Sequence, residues 1–457
     1  MKYTLNNANN YIQLNKNKVN EQYKLKFHMM PPVGWMNDPN GLVKFEDNYH
    51  LFYQYYPYES KWGPMHWGHF VSKDLISYED VDVALAPTNQ EVESGCWSGG
   101  AFVKDDTLNL IYTRHYELND FKSQQQCIAT STDGLQFTKR EKPLFNNDEL
   151  PENISKSDFR DPFVFYKNGY YYMLVGGKLN TDEGIIVVLK SMKLDDFKFD
   201  FIIGPYYELG NMGECPAYHN VDGMDIIVAS GCAVKQKGNN YKNCNSSVYL
   251  AGKLDLENKK FDIVKIEEID KGDTYYAPQF ISNNDEPIMI GWMEMWGKEY
   301  PTAKMNHNWI GALSIPRKLS WKNNTLYQEP IDSIKGYYKN TYKYEEGKIK
   351  SISDITISAK DYFSIKFNGD NGCFEIGNNE HGVYLDTTGS NNLNETLRHT
   401  NDNYKEVKVR VLLDKSSVEM FINDGVETIT SRVYIDGDYS LDLSNREIDI
   451  TINEIEV

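Results

Sequence analysis

From residue 28 to about residue 330 the chain is a succession of short apolar and aromatic runs broken by Gly, Asn, Asp and Pro, and no long amphipathic helix interrupts them. The pattern predicts an all-β fold. A weak repeat sharpens it: Ser72-Lys73-Asp74-Leu75 with Tyr78, Ser131-Thr132-Asp133-Gly134 with Phe137, and Ser191-Met192-Lys193-Leu194 with Phe197 recur at offsets of 59 and 60 residues. A period near sixty suits one four-stranded blade of a β-propeller. Candidate chemistry keeps the same beat, with Asp38, Trp97, Asp161, Glu214 and Tyr276 separated by 59, 64, 53 and 62 residues. Five such positions predict five blades, and radial repetition would bring all five to one central funnel.

Past Leu319 the pattern changes. A Tyr/Lys/Glu-rich stretch follows Tyr327-Gln328-Glu329-Pro330, and then Val407, Val409, Val411 and Leu413 alternate with polar residues, as do Ile448, Ile450 and Ile452. This period of two marks half-buried antiparallel strands, and Asn423-Asp424-Gly425 reads as a hairpin turn. The expected organisation is a polar N-terminal segment (1–27), a five-bladed β-propeller (28–325), a linker (326–350) and a C-terminal β-sandwich (351–457).

Composition narrows the function. A chain of 457 residues with 40% apolar and 25% charged content can bury a sizeable core, in two domains. A net charge of -18 argues against nucleic acid or an anionic membrane as partner, since both demand a basic surface, but a local pair of cations could still bind a small anion. Cysteines 96, 127, 215, 232, 244 and 373 show no metal-type spacing and read as thiols in a reducing compartment. The first 26 residues lack a signal-peptide apolar stretch, so a cytoplasmic location is expected, and homo-oligomerisation is left open.

Three carboxylate motifs carry the chemistry. Trp35-Met36-Asn37-Asp38-Pro39-Asn40-Gly41 sets one acid in a rigid turn, where Pro39 biases Asp38 toward extended backbone and Gly41 permits a bend. Arg160-Asp161-Pro162 repeats the Asp-Pro device beside a guanidinium, and Glu214-Cys215-Pro216 places a glutamate just ahead of a proline. Each alone is ordinary turn chemistry. In this order, with Gln54, the run Trp62-Gly63-Pro64-Met65-His66-Trp67-Gly68-His69, Trp97-Ser98-Gly99 and Tyr276-Ala277-Pro278-Gln279 between and after them, they resemble the signatures of glycoside hydrolase family 32, the invertases, fructanases and sucrose-6-phosphate hydrolases. The resemblance runs from about His28 to Val457.

The resemblance implies a five-bladed propeller with a C-terminal sandwich, and a retaining fructosidase. Asp38 would be the nucleophile, Glu214 the general acid and base, and Asp161 a holder of fructose hydroxyls with Arg160 orienting it. Asn37, Gln54, Trp62, Trp97 and Ser98 match positions that line the fructose pocket. Retention predicts Asp38 and Glu214 carboxyls about 5 to 5.5 Å apart, with environments that keep Glu214 protonated while Asp38 is ionised. No metal or cofactor is implied. His66 and His69 read as structural, and so does the segment from Asp414 to Glu419 with Phe421, which matches the family's sandwich signature.

This chain departs from the family pattern at Gly213 and Ala217, and at Thr113-Arg114-His115, where Arg114 and His115 offer two phosphate contacts against the blander reading of a solvated loop. The expected activity is hydrolysis of sucrose 6-phosphate or sucrose. The alternatives are an exo-acting hydrolase of short fructo-oligosaccharides and, from another class, a non-catalytic sugar-binding protein on the same scaffold.

Overall fold

The computed structural model describes residues 3–87, 91–119, 121–394, 396–444 and 447–457. Beyond the N-terminal helix Leu5–Asn15, almost all regular structure is strand. Five antiparallel meanders follow one another. Their innermost strands are Gly34–Phe45, Gly95–Lys104, Ile154–Lys167, Gly213–Val221 and Tyr276–Phe280, and each meander adds three strands outward. The innermost strands touch in cyclic order, the last against the first. The strand Trp309–Ile310 returns to pair in parallel with Gly34 and Trp35, tying the end of the array to its start.

The weak repeat has a structural origin. Ser72, Ser131 and Ser191 each end the third strand of a meander. Asp74 Oδ1 accepts the N–H groups of Ile76 and Ser77 at 3.0 Å, and Asp133 Oδ1 those of Leu135 and Gln136 at 2.9 Å. These Asx turns lead into the outer strand.

The described residues of 338–457 form two six-stranded sheets enclosing one apolar core, in which Ile355, Val409, Val411 and Ile452 of one sheet face Phe367, Phe374 and Leu385 of the other. Asn423-Asp424-Gly425 turns between the strands Ser417–Ile422 and Glu427–Arg432, with all three residues at positive φ. The stretch 326–350, expected as a linker, carries regular structure. Thr325–Pro330 is the last strand of the fifth meander, and Tyr338–Lys343 pairs with Asp449–Ile455. Alternation in these segments is masked by their Tyr, Lys and Glu content, because the strand Tyr338–Lys343 lies at a sheet edge and buries little.

A buried polar network joins the two parts. Fully buried Arg317 donates to Asp270 at 3.0 Å, Glu419 at 2.7 Å and Thr430 at 2.7 Å. The His28 ring bridges Asp414 at 2.8 Å and Glu419 at 2.9 Å. Burial disfavours the imidazolium, but the two carboxylates outweigh it and raise the His28 pKa. The N-terminal helix docks on the first meander through Ala8 and Ile12, with Tyr11 donating to the Tyr58 carbonyl at 3.0 Å. No helix of the described residues is long and apolar enough to cross a membrane.

Candidate active site

All five inner strands slip register at their motif. The slips fall between Met36 and Pro39, Trp97 and Gly99, Arg160 and Phe163, Glu214 and Ala217, and Tyr276 and Gln279. Proline cannot donate to a ladder, so a central strand accommodates it in a bulge, and a bulge re-aims the adjacent side chains. In the last three strands the residue before the proline is left-handed, with φ of 66° at Asp161, 48° at Cys215 and 49° at Ala277. Each of their N–H groups is anchored: Asp161 donates to Thr113 Oγ1 at 2.9 Å, Cys215 to Asp161 Oδ2 at 3.0 Å, and Ala277 to Ser230 Oγ at 3.2 Å. Those bonds hold a backbone that non-glycine residues rarely adopt.

The residues just before these bulges, Trp97, Arg160, Glu214 and Tyr276, touch one another in turn. The Arg160 guanidinium lies 5.9 Å from the Trp97 ring centroid and donates to Glu214 Oε1 at 2.5 Å, and the Tyr276 hydroxyl donates to Glu214 Oε2 at 2.5 Å. Deeper in, Ser98 donates to Asp38 Oδ2 at 2.7 Å, and the Cys215 thiol sits 3.7 Å from Asp38 and 3.5 Å from Asp161.

These side chains enclose a cavity of about 210 Å³ lined by Asn37, Asp38, Gln54, Trp62, Trp97, Ser98, Arg160, Asp161, Glu214 and Trp296. Nine of the ten are residues expected from the sequence. Asn37 accepts from Trp35 Nε1 at 2.8 Å, Gln54 donates to the Cys96 carbonyl at 3.0 Å, and Trp62 stands edge-on to Trp97 at 6.0 Å. Trp296 was missed. It follows the strand Ile288–Trp292 and nests against Trp35 and Trp292, and the aromatic run Trp292-Met293-Glu294-Met295-Trp296 was the available signal. A larger groove of about 740 Å³ over Ser358, Lys360, Glu406 and Asp449 is open, and it gathers none of these motifs.

Arg114 and His115 are not among the lining residues. Adjacent on one strand, they point to opposite faces. Arg114 donates to the Glu141 carbonyl at 3.0 Å and to Gln125 at 2.6 Å, away from the cavity. His115 stacks behind Trp97 with ring centroids 3.7 Å apart, and burial followed by the charges of Lys122 and Arg160 lowers its pKa to about 4. A neutral, buried imidazole props the tryptophan. His66 and His69 are buried too, bonded to the Pro64 carbonyl and to His50.

The three acids differ in charge state. Burial lifts the Asp38 pKa to about 6, against the pull of hydrogen bonds from Ser98 and Asn37, and the charge of Glu214 adds to the rise. Asp161 is also raised by burial, with Arg160 opposing and Glu214 and Asp38 reinforcing. Burial acts the same way on Glu214, but the Arg160 charge and the Tyr276 hydrogen bond outweigh it and hold this carboxyl below its usual range. The expected order, Glu214 above Asp38, is therefore reversed, because one guanidinium is committed to Glu214.

An all-β array that brings a carboxylate pair, a third acid and aromatic walls to one small cavity defines a glycoside hydrolase. The family descriptions for the glycosyl hydrolases family 32 N-terminal domain and C terminal match residues 28–330 and 350–457, and the chain belongs to that family. It is 33% identical to the sucrose-6-phosphate hydrolase of Escherichia coli, over 89% of this chain and 88% of that one, and 30% identical to the raffinose invertase of the same species, over 96% and 95%. Among solved structures, the sucrose-6-phosphate hydrolase of Lactobacillus gasseri superposes with a TM-score of 0.89 at 25% identity, covering 98% of this chain and 96% of that one. The family 32 β-fructofuranosidase of Bombyx mori gives 0.87 at 30% identity, covering 99% and 98%.

Proposed function

We propose that this chain is a retaining β-fructofuranosidase that hydrolyses the fructosyl bond of sucrose 6-phosphate and of sucrose. One observation carries the reading: Asp38, Asp161 and Glu214, from three different inner strands, converge on one cavity whose remaining lining is aromatic or polar. At about 210 Å³ the cavity is below the range of roughly 300–1,000 Å³ typical of larger ligands, which suits one terminal sugar ring. The similarity to sucrose-6-phosphate hydrolases supports the substrate. The cyclic contact of five inner strands supports a five-bladed β-propeller over residues 28–325, and the two sheets on one core support a β-sandwich over 351–457. All six cysteines are free thiols, which suits the cytoplasm.

In this reading Asp38 attacks the anomeric carbon while Glu214 protonates the departing oxygen, giving a covalent fructosyl ester and the free sugar. Glu214 then takes a proton from water as it attacks the ester. Asp161 holds fructose hydroxyls, and Cys215 fixes its carboxylate through the N–H bond. Glu214 must be protonated at the start, although Arg160 opposes it. Asp38 and Asp161 both hold protons more tightly than ordinary carboxyls, so a proton is at hand inside the site near neutral pH. A sugar hydroxyl that draws Arg160 away from Glu214 lets that proton move there.

The test is kcat/KM on sucrose 6-phosphate, sucrose and kestose, with Asp38→Ala as blank. Intact-mass measurement of Glu214→Ala, loaded with fructosyl fluoride because fluoride departs without a proton from Glu214, should reveal a fructosyl ester on Asp38. Turnover surviving in Asp38→Ala, or inversion at the first-formed product, would sink the mechanism, and a preference for kestose would make the chain a fructo-oligosaccharide hydrolase.

A further inference from the structure

Outward of Arg160 the third inner strand carries a second charged group. Three cations surround the carboxylate of Asp158: Lys122 donates to Oδ1 at 2.5 Å, Lys178 stands 3.7 Å from Oδ2 while donating to Asp182 Oδ1 at 2.8 Å, and Arg160 stands 3.8 Å from Oδ1. Strand register puts them there. Side chains 122, 124 and 126 share one face, and Gln124 and Gln126 grip the Phe159 N–H at 2.9 Å and its carbonyl at 2.7 Å, which delivers Lys122 to Asp158. Lys178 follows Gly177, the ladder partner of Phe159.

The group leads from the cavity to solvent. Side-chain exposure rises from 5% at Asp161 and 14% at Arg160 to 22% at Asp158, 28% at Lys178 and 32% at Lys122. Arg160 is bonded to Glu214, so the cations lie on the side where the leaving sugar departs.

We propose that Lys122 and Lys178, with Arg160, form an anion subsite that takes the phosphate of a phosphorylated leaving sugar. The inference rests on the fructosidase reading and names the residues that would give it a phosphate preference. A chain of net charge -18 does not attract a dianion as a whole, so recognition needs cations held together at the point of binding. Asp158 holds Lys122 and Asp182 holds Lys178, so the two amines stay near each other, and a phosphate offers them further acceptor oxygens in charge-assisted bonds.

Lys122→Met, Lys178→Met and the double variant would be assayed on sucrose 6-phosphate and sucrose. The ratio of the two kcat/KM values should fall about tenfold or more in the double variant. The wild-type ratio should also fall as salt is raised, because exposed charges are screened. A wild type that cleaves sucrose with no phosphate preference, or variants that slow both substrates equally, would overturn the subsite and leave the fructosidase reading intact. Calorimetric binding of glucose 6-phosphate against glucose decides the subsite even if neither disaccharide is cleaved. The wild type should prefer the phosphate and the double variant should not, and a preference that persists refutes the assignment. Lys178→Met alone retains the Lys122–Asp158 pair, so it tests the idea even if the double variant fails to fold.

Discussion

Replacing Tyr276 with Phe removes one hydroxyl from a buried 2.5 Å hydrogen bond to Glu214 and leaves the Arg160 pair in place. A hydrogen bond to a charged group contributes about 1.5–3 kcal/mol, and a pKa unit corresponds to about 1.4 kcal/mol, so the Glu214 pKa should rise by about 1–2 units. Glu214 starts below its usual range and Asp38 near 6, so the form that reacts, with Asp38 ionised and Glu214 protonated, is the minor one of its charge. In such a system the lower macroscopic pKa, which sets the acid limb of kcat/KM, belongs mainly to Glu214, and the higher one to its partners. Tyr276→Phe should therefore move the acid limb to higher pH by about 1–2 units and leave the alkaline limb nearly in place. The assay is initial-rate kcat/KM on sucrose across the pH range. If the alkaline limb moves instead, Glu214 holds the higher pKa in the working enzyme, and its contacts with Arg160 and Tyr276 do not set the order of the acids.

Asp38→Asn should stabilise the fold at pH 8. A carboxyl raised from its ordinary value to about 6 costs up to about 3 kcal/mol once both states are ionised, and denaturant melts should show that advantage vanish below the ordinary carboxyl pKa. Arg317→Met strands the fully buried Asp270 carboxylate and weakens Glu419, so it should cost about 3–5 kcal/mol in chemical unfolding. His28 has a raised pKa, so its stabilising bridge is complete below the free value of about 6.5 and is lost as pH rises through the folded value. The stability gap between wild type and His28→Asn should thus shrink on the alkaline side. Trp296→Ala removes a wall of the cavity without touching an acid, so KM should rise several-fold more than kcat falls; the reverse split would give Trp296 a role in the transition state.

The acids and most of the cavity lining were legible because four of the five bulges are written in proline, the Trp97–Gly99 bulge being the exception. Asp38, Asp161, Cys215 and Ala277 each precede one, and a proline in a central strand has few places to sit. The Ser72, Ser131 and Ser191 repeat was legible for a similar reason, since the Asx turns at Asp74 and Asp133 and the serine turn at Ser191 are local chemistry. What escaped depends on neighbours far along the chain. The helix Leu5–Asn15 is Asn-rich with weak apolar spacing, and it is held by docking. Trp296 follows a strand with no proline to flag it. Lys122 and Lys178 acquire meaning only from Asp158 on the strand beside them. Arg114 and His115 were paired by adjacency, although neighbours in a strand face opposite ways.

The equivalence of Trp97, Arg160, Glu214 and Tyr276 explains why a single backbone device can support an acid site. Each precedes a bulge, and in the last three strands the next residue is left-handed and a proline follows. The backbone makes no demand on the identity of the projecting side chain, so the ring can hold an aromatic, a cation, an acid and a phenol in turn. Their mutual contacts then set the charge state of Glu214 from both sides, Arg160 on one and Tyr276 on the other. Since neither contact carries the bulge itself, substitutions at 160 or 276 should retune the acid while leaving its position unchanged, which is the condition that makes the Tyr276→Phe pH profile interpretable.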